Sequence, residues 1–291
     1  MTRTPVTSTE VERITHERRE GTTDLVAVEE PLQIILEHGE HHARRQTPLA
    51  VTMRTPGNDA DLVAGFLYGE GVIGGPEDLI RIHHCAQAET PDNVVRAVLR
   101  DHIVVPSRLL ERNLTVTSAC GVCGERTLDA LSKEGCSRIV VEEGSLDPDA
   151  IRRALTSLEG SQAFFRHTGG THGAALFNRQ GDLLMHREDV GRHNALDKLV
   201  GAWLQSPPTT EDAFVVVSSR ASFELVQKTV RAGFVMLVAI GAASSLAVDT
   251  AKRFDLTLVG FARESRFNVY ARGERIALEA ARDDFLEVEA G

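Results

Sequence analysis

Three short apolar segments in the second half of the chain constrain its fold more than any other feature. They span residues 214–218, 235–240 and 256–261, and helical patterns at about 222–232 and 244–253 separate them. Strands that are apolar on both faces are typical of parallel sheets that helices cover on both sides. The alternation of strand and helix therefore predicts a βαβαβ unit with right-handed crossovers.

The first half of the chain has a weaker pattern and predicts a smaller region. Residues 1–20 are polar and charged, which predicts a disordered tail. We expect an N-terminal subdomain over residues 21–145, which carries a paired-cysteine loop, and an α/β domain over residues 146–291. The total of 291 residues is enough for two average domains or one large one.

Composition argues against two classes of partner. The 32 basic and 42 acidic residues give a net charge of −10, and aromatic residues make up 5% of the chain. Nucleic-acid binding uses basic surface and aromatic stacking, so nucleic acid is not an expected partner. The longest uncharged run covers residues 232–248, which is shorter than the roughly 20 residues of a membrane helix.

The start of the chain and its cysteine content predict a compartment. The first 21 residues contain no apolar stretch, so no signal peptide is expected. Four cysteines in a chain of this length do not make a disulfide scaffold. We therefore expect a cytoplasmic protein that does not enter a membrane, with reduced thiols that are available for chemistry.

The sharpest local motif is a Cys-Gly-Val-Cys-Gly segment that contains Cys120 and Cys123. Such a pair serves in dithiol redox exchange, in half of a zinc site, or in sulfur carriage as a persulfide. A zinc site typically needs a second Cys or His pair, and Cys136 stands alone. A thioredoxin-like pair follows a strand and opens a helix, whereas this pair lies among small residues. A loop of that kind favours sulfur carriage, while zinc, redox exchange and two incidental cysteines remain alternatives.

Small residues follow each of the three predicted parallel strands, and arginines follow the first and the third. In open α/β sheets, ligands bind outside the carboxyl ends of the strands. Backbone amides, two helix N-termini and bidentate guanidinium groups together predict an anion or nucleotide-phosphate site at this edge. The chain has no P-loop and no Gly-x-Gly-x-x-Gly motif, which argues against a standard NTPase or dinucleotide enzyme. The segments are 218–222, 241–245 and 260–266, with Arg220, Arg263 and Arg266.

Two further segments concentrate polar residues. Residues 168–173 form a Thr-Gly-Gly-Thr-His-Gly loop that leads into a strand and contains His172. Residues 188–198 join a strand to a helix, and Asp189 is expected to cap that helix. His193 is a candidate ligand or acid–base group, or else makes a local hydrogen bond in the first helical turn. No Gly-x-Ser-x-Gly elbow supports a Ser/His/Asp hydrolase.

Taken together, these motifs resemble the formate dehydrogenase accessory sulfurtransferase family, FdhD. The resemblance covers roughly residues 25–270 in the family's order, and segments 168–173 and 188–198 are its most specific parts. Two features depart from the family, since the N-terminal tail is not shared and Glu264 places an acid among the arginines. The other matching motifs are Thr55-Pro-Gly57, Glu70-Gly71, Cys120 to Gly124, Ala174-Ala175, Ser219 to Glu224, and Gly260-Phe261 through Tyr270.

The resemblance implies a homodimer with a fold similar to the cytidine deaminase α/β sandwich and a smaller N-terminal subdomain. It implies a sulfurtransferase that takes persulfide sulfur from a cysteine desulfurase. The sulfur then passes to the bis-molybdopterin guanine dinucleotide (Mo-bis-MGD) cofactor before the molybdenum cofactor enters apo-formate dehydrogenase. No Pro-Cys-x-x-Cys follows His186-Arg-Glu188, so the deaminase zinc signature is missing and no structural metal is expected. The alternative is a cofactor-binding chaperone or scaffold without thiol chemistry.

The resemblance also implies roles for individual residues. Cys120 would carry the persulfide, and Cys123 would be the second thiol that holds or relays sulfur. Segment 261–266 of the cofactor-binding domain would contact the guanine dinucleotide, with Glu264 on the opposite side of the turn from the arginines. The members of this segment are Phe261, Ala262, Arg263, Glu264, Ser265 and Arg266. Second-rank candidates expected to line the same cleft are His172, Asp189, Arg192, His193 and Arg220.

Overall fold

The computed structural model describes residues 4–110, 136–209 and 212–277. The chain forms two compact units of mixed α/β structure, which confirms the predicted α/β class. Among the described residues, the first unit contains 4–110, 161–174 and 185–208. The second unit contains 136–160, 175–184, 209 and 212–277. The similarity to a cytidine deaminase sandwich stays a prediction.

The helices and strands have the following bounds in the described residues. The strands are β1 (Val6–Ile14), β2 (Arg19–Ala27), β3 (Glu30–His38), β4 (Arg45–Arg54), β5 (Leu79–His84), β6 (Val94–Leu99), β7 (His172–Phe177), β8 (Leu183–Asp189), β9 (Phe214–Val217), β10 (Met236–Ala239), β11 (Thr257–Arg263) and β12 (Arg266–Ala271). The helices are α1 (Asp59–Gly69), α2 (Ser107–Leu110), α3 (Pro148–Ser161), α4 (Ala163–Thr168), α5 (Arg192–Gln205), α6 (Phe223–Arg231) and α7 (Ser245–Arg253). Single 3-10 turns lie at Pro76–Asp78, Pro91–Asn93 and Gly273–Arg275.

The N-terminal segment forms a hairpin, which differs from the disordered tail expected over residues 1–20. Strands β1 and β2 pair antiparallel over their whole length. Both strands are rich in valine and threonine, whose branched side chains favour extended backbone. None of their residues is buried, so polarity correctly indicated exposure. The strand propensity, which the prediction ignored, accounts for the order.

A four-stranded sheet with the order β4-β3-β6-β5 forms the core of the first unit. Strand β3 pairs antiparallel with β4 and parallel with β6. Alternate residues of β3 point to one face, and Leu32, Ile34 and Leu36 are buried there. Leu62 and Leu67 of α1 belong to the same apolar cluster. The core of this unit therefore lies between one face of the sheet and α1.

Helices α1 and α5 cross with their backbones in contact. A Cβ atom at Gly65 would lie 1.9 Å from the carbonyl oxygen of Asp197. A Cβ atom at Gly201 would lie 1.9 Å from the carbonyl oxygen of Asp61. No side chain fits at such a distance from backbone, so both positions require glycine. The crossing fixes α5, whose first turn carries two of the predicted site residues, on the core of the first unit.

A six-stranded sheet with the order β12-β11-β10-β9-β7-β8 characterises the second unit, and β7 and β8 contribute residues to both units. Strands β9, β10 and β11 are parallel neighbours, with α6 and α7 between them in the chain. This finding confirms the predicted alternation of strand and helix. Strand β12 returns antiparallel to β11 at the edge of the sheet. In the described part of the chain, no helix has both the length and the apolar character needed to span a membrane.

The division into units differs from the predicted boundary near residue 145. Residues 161–174 and 185–208 belong to the first unit, although they follow residues 136–160 of the second. Each of these segments has an ordinary helix or strand pattern. A boundary drawn along the sequence cannot describe units between which the chain passes several times.

Candidate functional site

The predicted site residues fall into three groups, one of which the structure does not describe. Cys120 and Cys123 lie within residues 111–135, outside the described residues. Cys85 and Cys136 are both buried, with 6% and 8% of their surface exposed. Neither of these two has the exposure that an exchanging thiol needs.

The second group lies at the carboxyl ends of the parallel strands, where the three predicted segments meet. Backbone hydrogen bonds join each segment to the next. Gly241 N donates to Ser219 O at 3.0 Å, and Ala221 N donates to Ala242 O at 3.0 Å. Phe261 N donates to Gly241 O at 2.9 Å, which ties in the third segment. The sheet edge predicted from the sequence is therefore one continuous surface of the second unit.

Small residues at this edge make room for their neighbours. A Cβ atom at Gly241 would lie 2.8 Å from Arg220 Cγ, so the aliphatic part of Arg220 rests on that glycine. Ser244 caps α7, and its Oγ accepts a hydrogen bond from Ala247 N at 3.4 Å. Arg220 is exposed beyond its contact with Gly241, so its guanidinium group is available to a ligand.

Two arginines face each other at the tip of the β11–β12 hairpin. Arg263 and Arg266 are direct partners across the two strands, and both are exposed. Like charges in this arrangement repel each other unless an anion lies between them. Nη1 of Arg263 donates to Ile240 O at 2.8 Å and to Ala262 O at 2.7 Å, which ties this arginine to backbone.

Phe261 has an unusual backbone conformation next to these arginines. Its φ is +49°, in the left-handed region, and the pairing of β11 with β12 is irregular between Gly260 and Arg263. A left-handed residue other than glycine costs roughly 1–2 kcal/mol. Phe261 is 48% exposed, so apolar burial does not offset that cost. Strain of this kind is common at ligand sites. We refer to Arg220, Phe261, Arg263 and Arg266 as the arginine edge.

The remaining members of segment 261–266 have other surroundings. Ala262 is 1% exposed, so neither its side chain nor its backbone is open to a ligand. Glu264 Oε1 accepts a hydrogen bond from Thr156 Oγ1 at 2.8 Å, and Arg152 Nε donates to Glu264 O at 3.2 Å. The carboxylate of Glu264 is thus directed at α3. Ser265 is exposed in the turn.

The third group lies in the first unit, where the two polar segments are bound to each other. Thr171 Oγ1 donates to Glu188 Oε2 at 2.8 Å. The same carboxylate accepts hydrogen bonds from Phe164 N at 2.9 Å and Phe165 N at 2.8 Å. Gly173 leaves space for Gln162, whose amide carbon lies 2.8 Å from the position a Cβ would take. The glycine-rich loop is therefore held by Glu188.

Asp189 is a structural residue in this geometry, because its carboxylate is buried and is not open to a ligand. It is 0% exposed, and its carboxylate accepts hydrogen bonds from Thr55 N at 3.1 Å and Gly191 N at 2.8 Å. Asn194 Nδ2 and Lys198 Nζ lie 3.2 Å and 2.7 Å from its oxygens. The amide that Asp189 binds belongs to Gly191, which precedes α5, so Asp189 braces the turn instead of capping helical amides.

His172 and Arg192 are brought together in the first unit. Burial lowers the pKa of His172 from its usual 6.5, and the nearby Arg192 lowers it further, while Asp189 opposes the shift. The imidazole is therefore neutral at neutral pH and can both donate and accept a hydrogen bond. Arg192 and His193, in the first turn of α5, are partly exposed. We refer to His172, Arg192 and His193 as the His172 cluster.

Sequence reasoning did not single out Thr55 and Lys198 as parts of this site. Both are buried, and both contact Asp189. The spacing of Asn194 and Lys198, four residues apart on one helix, was the available signal, because such residues share a helix face. Within residues 4–110, 136–209 and 212–277, no three His, Cys, Asp or Glu side chains are grouped closely enough to bind a metal ion.

Comparison with known proteins places these motifs in a family. The model of the FdhD/NarQ family matches residues 27–277. A sulfur carrier protein FdhD from Streptomyces avermitilis is 47% identical over 266 residues, covering 89% of this chain and 91% of the relative. One from Anaeromyxobacter sp. (strain K) is 42% identical over 275 residues, covering 90% of this chain and 92% of the relative.

A solved structure shares the fold. It is the crystal structure of a protein from Desulfotalea psychrophila that is provisionally described as a formate dehydrogenase accessory protein. The two chains superpose with a TM-score of 0.71 at 24% identity, over 94% of this chain and 100% of that chain. The family match over residues 27–277 and the identity to the curated relatives agree with the motifs, and this chain belongs to the FdhD/NarQ family.

Proposed function

We propose that this protein carries sulfur to the molybdenum cofactor of a formate dehydrogenase. Relatives at 47% and 42% identity are sulfur carrier proteins, and Cys120 and Cys123 provide the thiols that such a role needs. The sulfur donor is a cysteine desulfurase that bears a persulfide. The Cys120 thiolate attacks the terminal sulfur of that persulfide, a new S–S bond forms on Cys120, and the donor cysteine leaves as a thiolate. Cys123 holds or relays the sulfur.

The receiving substrate in this proposal is Mo-bis-MGD, before its insertion into apo-formate dehydrogenase. The observation that carries this part is the arginine edge. A guanine dinucleotide presents phosphates, which guanidinium groups bind bidentately, and a flat base, which an exposed ring can stack against. Arg220, Arg266 and Phe261 offer these groups on one surface. The proposal also gives the His172 cluster a part in cofactor binding, since imidazole and guanidinium both donate to phosphate or pterin oxygens.

Intact-mass analysis tests the thiol step. The full-length protein is incubated with a cysteine desulfurase and cysteine, and we expect the mass to rise by one sulfur. Cys120→Ala should not gain the sulfur, and Cys85→Ala, which removes a buried thiol, should load like the native chain. If Cys120→Ala loads and still activates formate dehydrogenase, the assignment fails. An unmodified native chain that nevertheless activates its client would favour the scaffold alternative.

Calorimetry with GDP, a fragment of the cofactor, tests the arginine edge. Each charge-assisted contact is worth about 1.5–3 kcal/mol, so Arg266→Ala should weaken binding by roughly 10- to 150-fold. Lys252→Ala removes an exposed cation at the far end of α7 and should leave GDP affinity within about twofold. Unchanged affinity in both Arg263→Ala and Arg266→Ala would place the nucleotide elsewhere. Residues 168–173 would then be the leading candidate.

The proposal includes two further properties, a homodimer that the resemblance implies and a cytoplasmic location that the cysteine content predicts. We expect the protein to act as a homodimer, which sedimentation of the full chain will test. We expect it to act in the cytoplasm, where thiols stay reduced and persulfide transfer is possible. Fractionation of cells with an antibody to the native protein tests this location.

A further inference from the structure

Lys198 is a buried cation that none of the steps above uses. It is 1% exposed, and its ammonium lies 2.7 Å from Asp189 Oδ2 and 2.8 Å from the carbonyl oxygen of Thr55. Burying an ammonium group is unfavourable unless it is paired and hydrogen-bonded, and lysine is rarely buried. Replacing such a pair by apolar residues is often neutral for stability. Stability alone therefore does not explain why Lys198 and Asp189 form a buried ion pair here, and we expect the pair to have another role.

The partners of Lys198 join two turns from distant parts of the first unit. Asp189 accepts hydrogen bonds from the backbone amides of Thr55 and Gly191. Thr55 Oγ1 in turn accepts a hydrogen bond from Val190 N at 3.1 Å. Because the ammonium binds Thr55 and Asp189 together, it closes a ring of contacts between the turn after β4 and the turn before α5. Neither turn can shift without breaking a charge-assisted hydrogen bond.

These turns lead directly into the His172 cluster. Gly191 is followed by Arg192 and His193 in the first turn of α5. The charged groups that face His172 are Arg192, from α5, and Asp189, at the end of β8. Through Asp189, Lys198 is thus connected both to the turn that carries Arg192 and to the carboxylate that raises the pKa of His172.

We propose that Lys198 is a positioning residue for the His172 cluster. It holds Asp189 against Thr55, fixes the first turn of α5, and balances the negative charge that His172 experiences. The role of the cluster in cofactor binding rests on the proposed function. The positioning role of Lys198 does not, because it can be measured on the protein alone.

The test is the titration of the His172 imidazole by NMR on the full-length protein, with the signal assigned through His172→Gln. Lys198→Met leaves Asp189 uncompensated and should raise the pKa of His172 by roughly half a unit or more. Asp189→Asn removes the negative charge and leaves the ammonium uncompensated, so it should lower the pKa of His172. The double variant, Asp189→Asn with Lys198→Met, should return the pKa close to its native value.

The opposite directions of the His172 pKa shifts in Lys198→Met and Asp189→Asn distinguish an electrostatic role of the pair from a general loosening of the site. A loosened site would expose His172 to water and raise its pKa toward 6.5 in every variant, including Asp189→Asn. A rise in Asp189→Asn, or no change in any variant, would overturn the proposal. Lys228→Met is the matched control, because it removes a buried lysine of the second unit and should leave the His172 titration unchanged. If Lys198→Met does not fold, Asp189→Asn and the double variant still decide the outcome.

Activity measurements distinguish this proposal from the proposed function. We expect sulfur delivery to formate dehydrogenase to fall in Asp189→Asn and to recover at least in part in the double variant, while sulfur loading on Cys120 stays native. Shifted titrations with unchanged delivery would support the positioning role and contradict a part for the His172 cluster in delivery. Unshifted titrations would contradict the positioning role whatever the delivery rate.

Discussion

The Asp189–Lys198 network and the arginine edge use charge in opposite ways. In the network the charges are buried, at 0% and 1% exposure, and the protein itself compensates them. At the edge, Arg220 and Arg266 are exposed, and Glu264, the acid nearest in sequence, is directed at α3. Buried charge without a partner destabilises the fold strongly, whereas exposed cations retain the capacity to bind an anion. Substitutions in the first region should therefore impair folding, and substitutions in the second should impair binding.

The largest effect should come from the helix crossing that supports the buried region. Gly201→Val places side-chain atoms where Asp61 O lies 1.9 Å from the Cβ position, so α1 and α5 must move apart. Overpacking that neighbouring side chains can absorb costs about 1–3 kcal/mol. The carbonyl of Asp61 belongs to the backbone and cannot move aside in that way, so we expect a larger loss here than in any of the variants below. Chemical denaturation should show this loss or no folded protein. Gly160→Ala, which meets no atom within 4 Å in α3, should be neutral or slightly stabilising. Equal stability of both variants would contradict the close crossing.

A second test compares a buried ion pair with an exposed one. Arg54 is 1% exposed and binds Asp59 through Nε and Nη2, at 2.9 and 3.1 Å. Arg54→Met leaves Asp59 buried without this partner and should lower the free energy of unfolding by about 3–5 kcal/mol. Arg18→Ala removes a partner of Glu20 at an exposed site and should change it by about 1 kcal/mol or less. If a denaturant titration shows similar losses of unfolding free energy for Arg54→Met and Arg18→Ala, burial of the ion pair does not determine its contribution to stability.

At the arginine edge, the backbone conformation of Phe261 should lower the stability of the fold, whereas its ring should strengthen GDP binding. Phe261→Gly removes the strain of a left-handed residue and should raise the free energy of unfolding by up to about 1 kcal/mol. It also removes the ring, and loss of base stacking worth about 1–3 kcal/mol should weaken GDP binding by roughly 5- to 150-fold. Phe261→Leu keeps the strain and loses the ring, so it should weaken binding without the gain in stability. GDP affinity that survives both changes would exclude stacking on this residue.

The smallest effect should be a pH dependence confined to one unit. All 11 histidines of the sequence fall in the first unit, and burial lowers the pKa of His38, His83, His172 and His186 below the usual 6.5. Below about pH 6.5 these histidines bind protons more readily in the unfolded chain than in the folded one. The free energy of unfolding therefore decreases as the pH is lowered. Hydrogen exchange should detect faster opening of the first unit at pH 5.5 than at pH 7.5.

A histidine variant provides the control for this pH effect. His172→Gln with His186→Gln should reduce the pH dependence, whereas His42→Gln, at an exposed position, should leave it in place. Equal acid sensitivity of amides in both units would show that carboxylates, rather than these histidines, dominate the response.

The sequence predicted the arginine edge better than the buried network, and the reason is physical. The strands that lead to Arg220 and Arg263 are local apolar runs, and the topology of parallel strands brings their ends together. Asp189 contacts Thr55, 134 residues away, and no local pattern reports such a contact. Lys198 has the residue type most often exposed, so its burial follows from tertiary packing alone. The prediction that Asp189 caps α5 was wrong for the same reason.

The crossing of α1 and α5 has a consequence for synthesis of the chain on the ribosome. The backbone of Gly65 packs against Asp197, which leaves the ribosome 132 residues later, and at about 5–20 residues per second this takes roughly 7 to 26 s. During that time α1 exists without the helix that completes its packing. A nascent chain that stops near residue 145 therefore cannot close this core, and it presents to chaperones and proteases a surface that the finished protein never exposes.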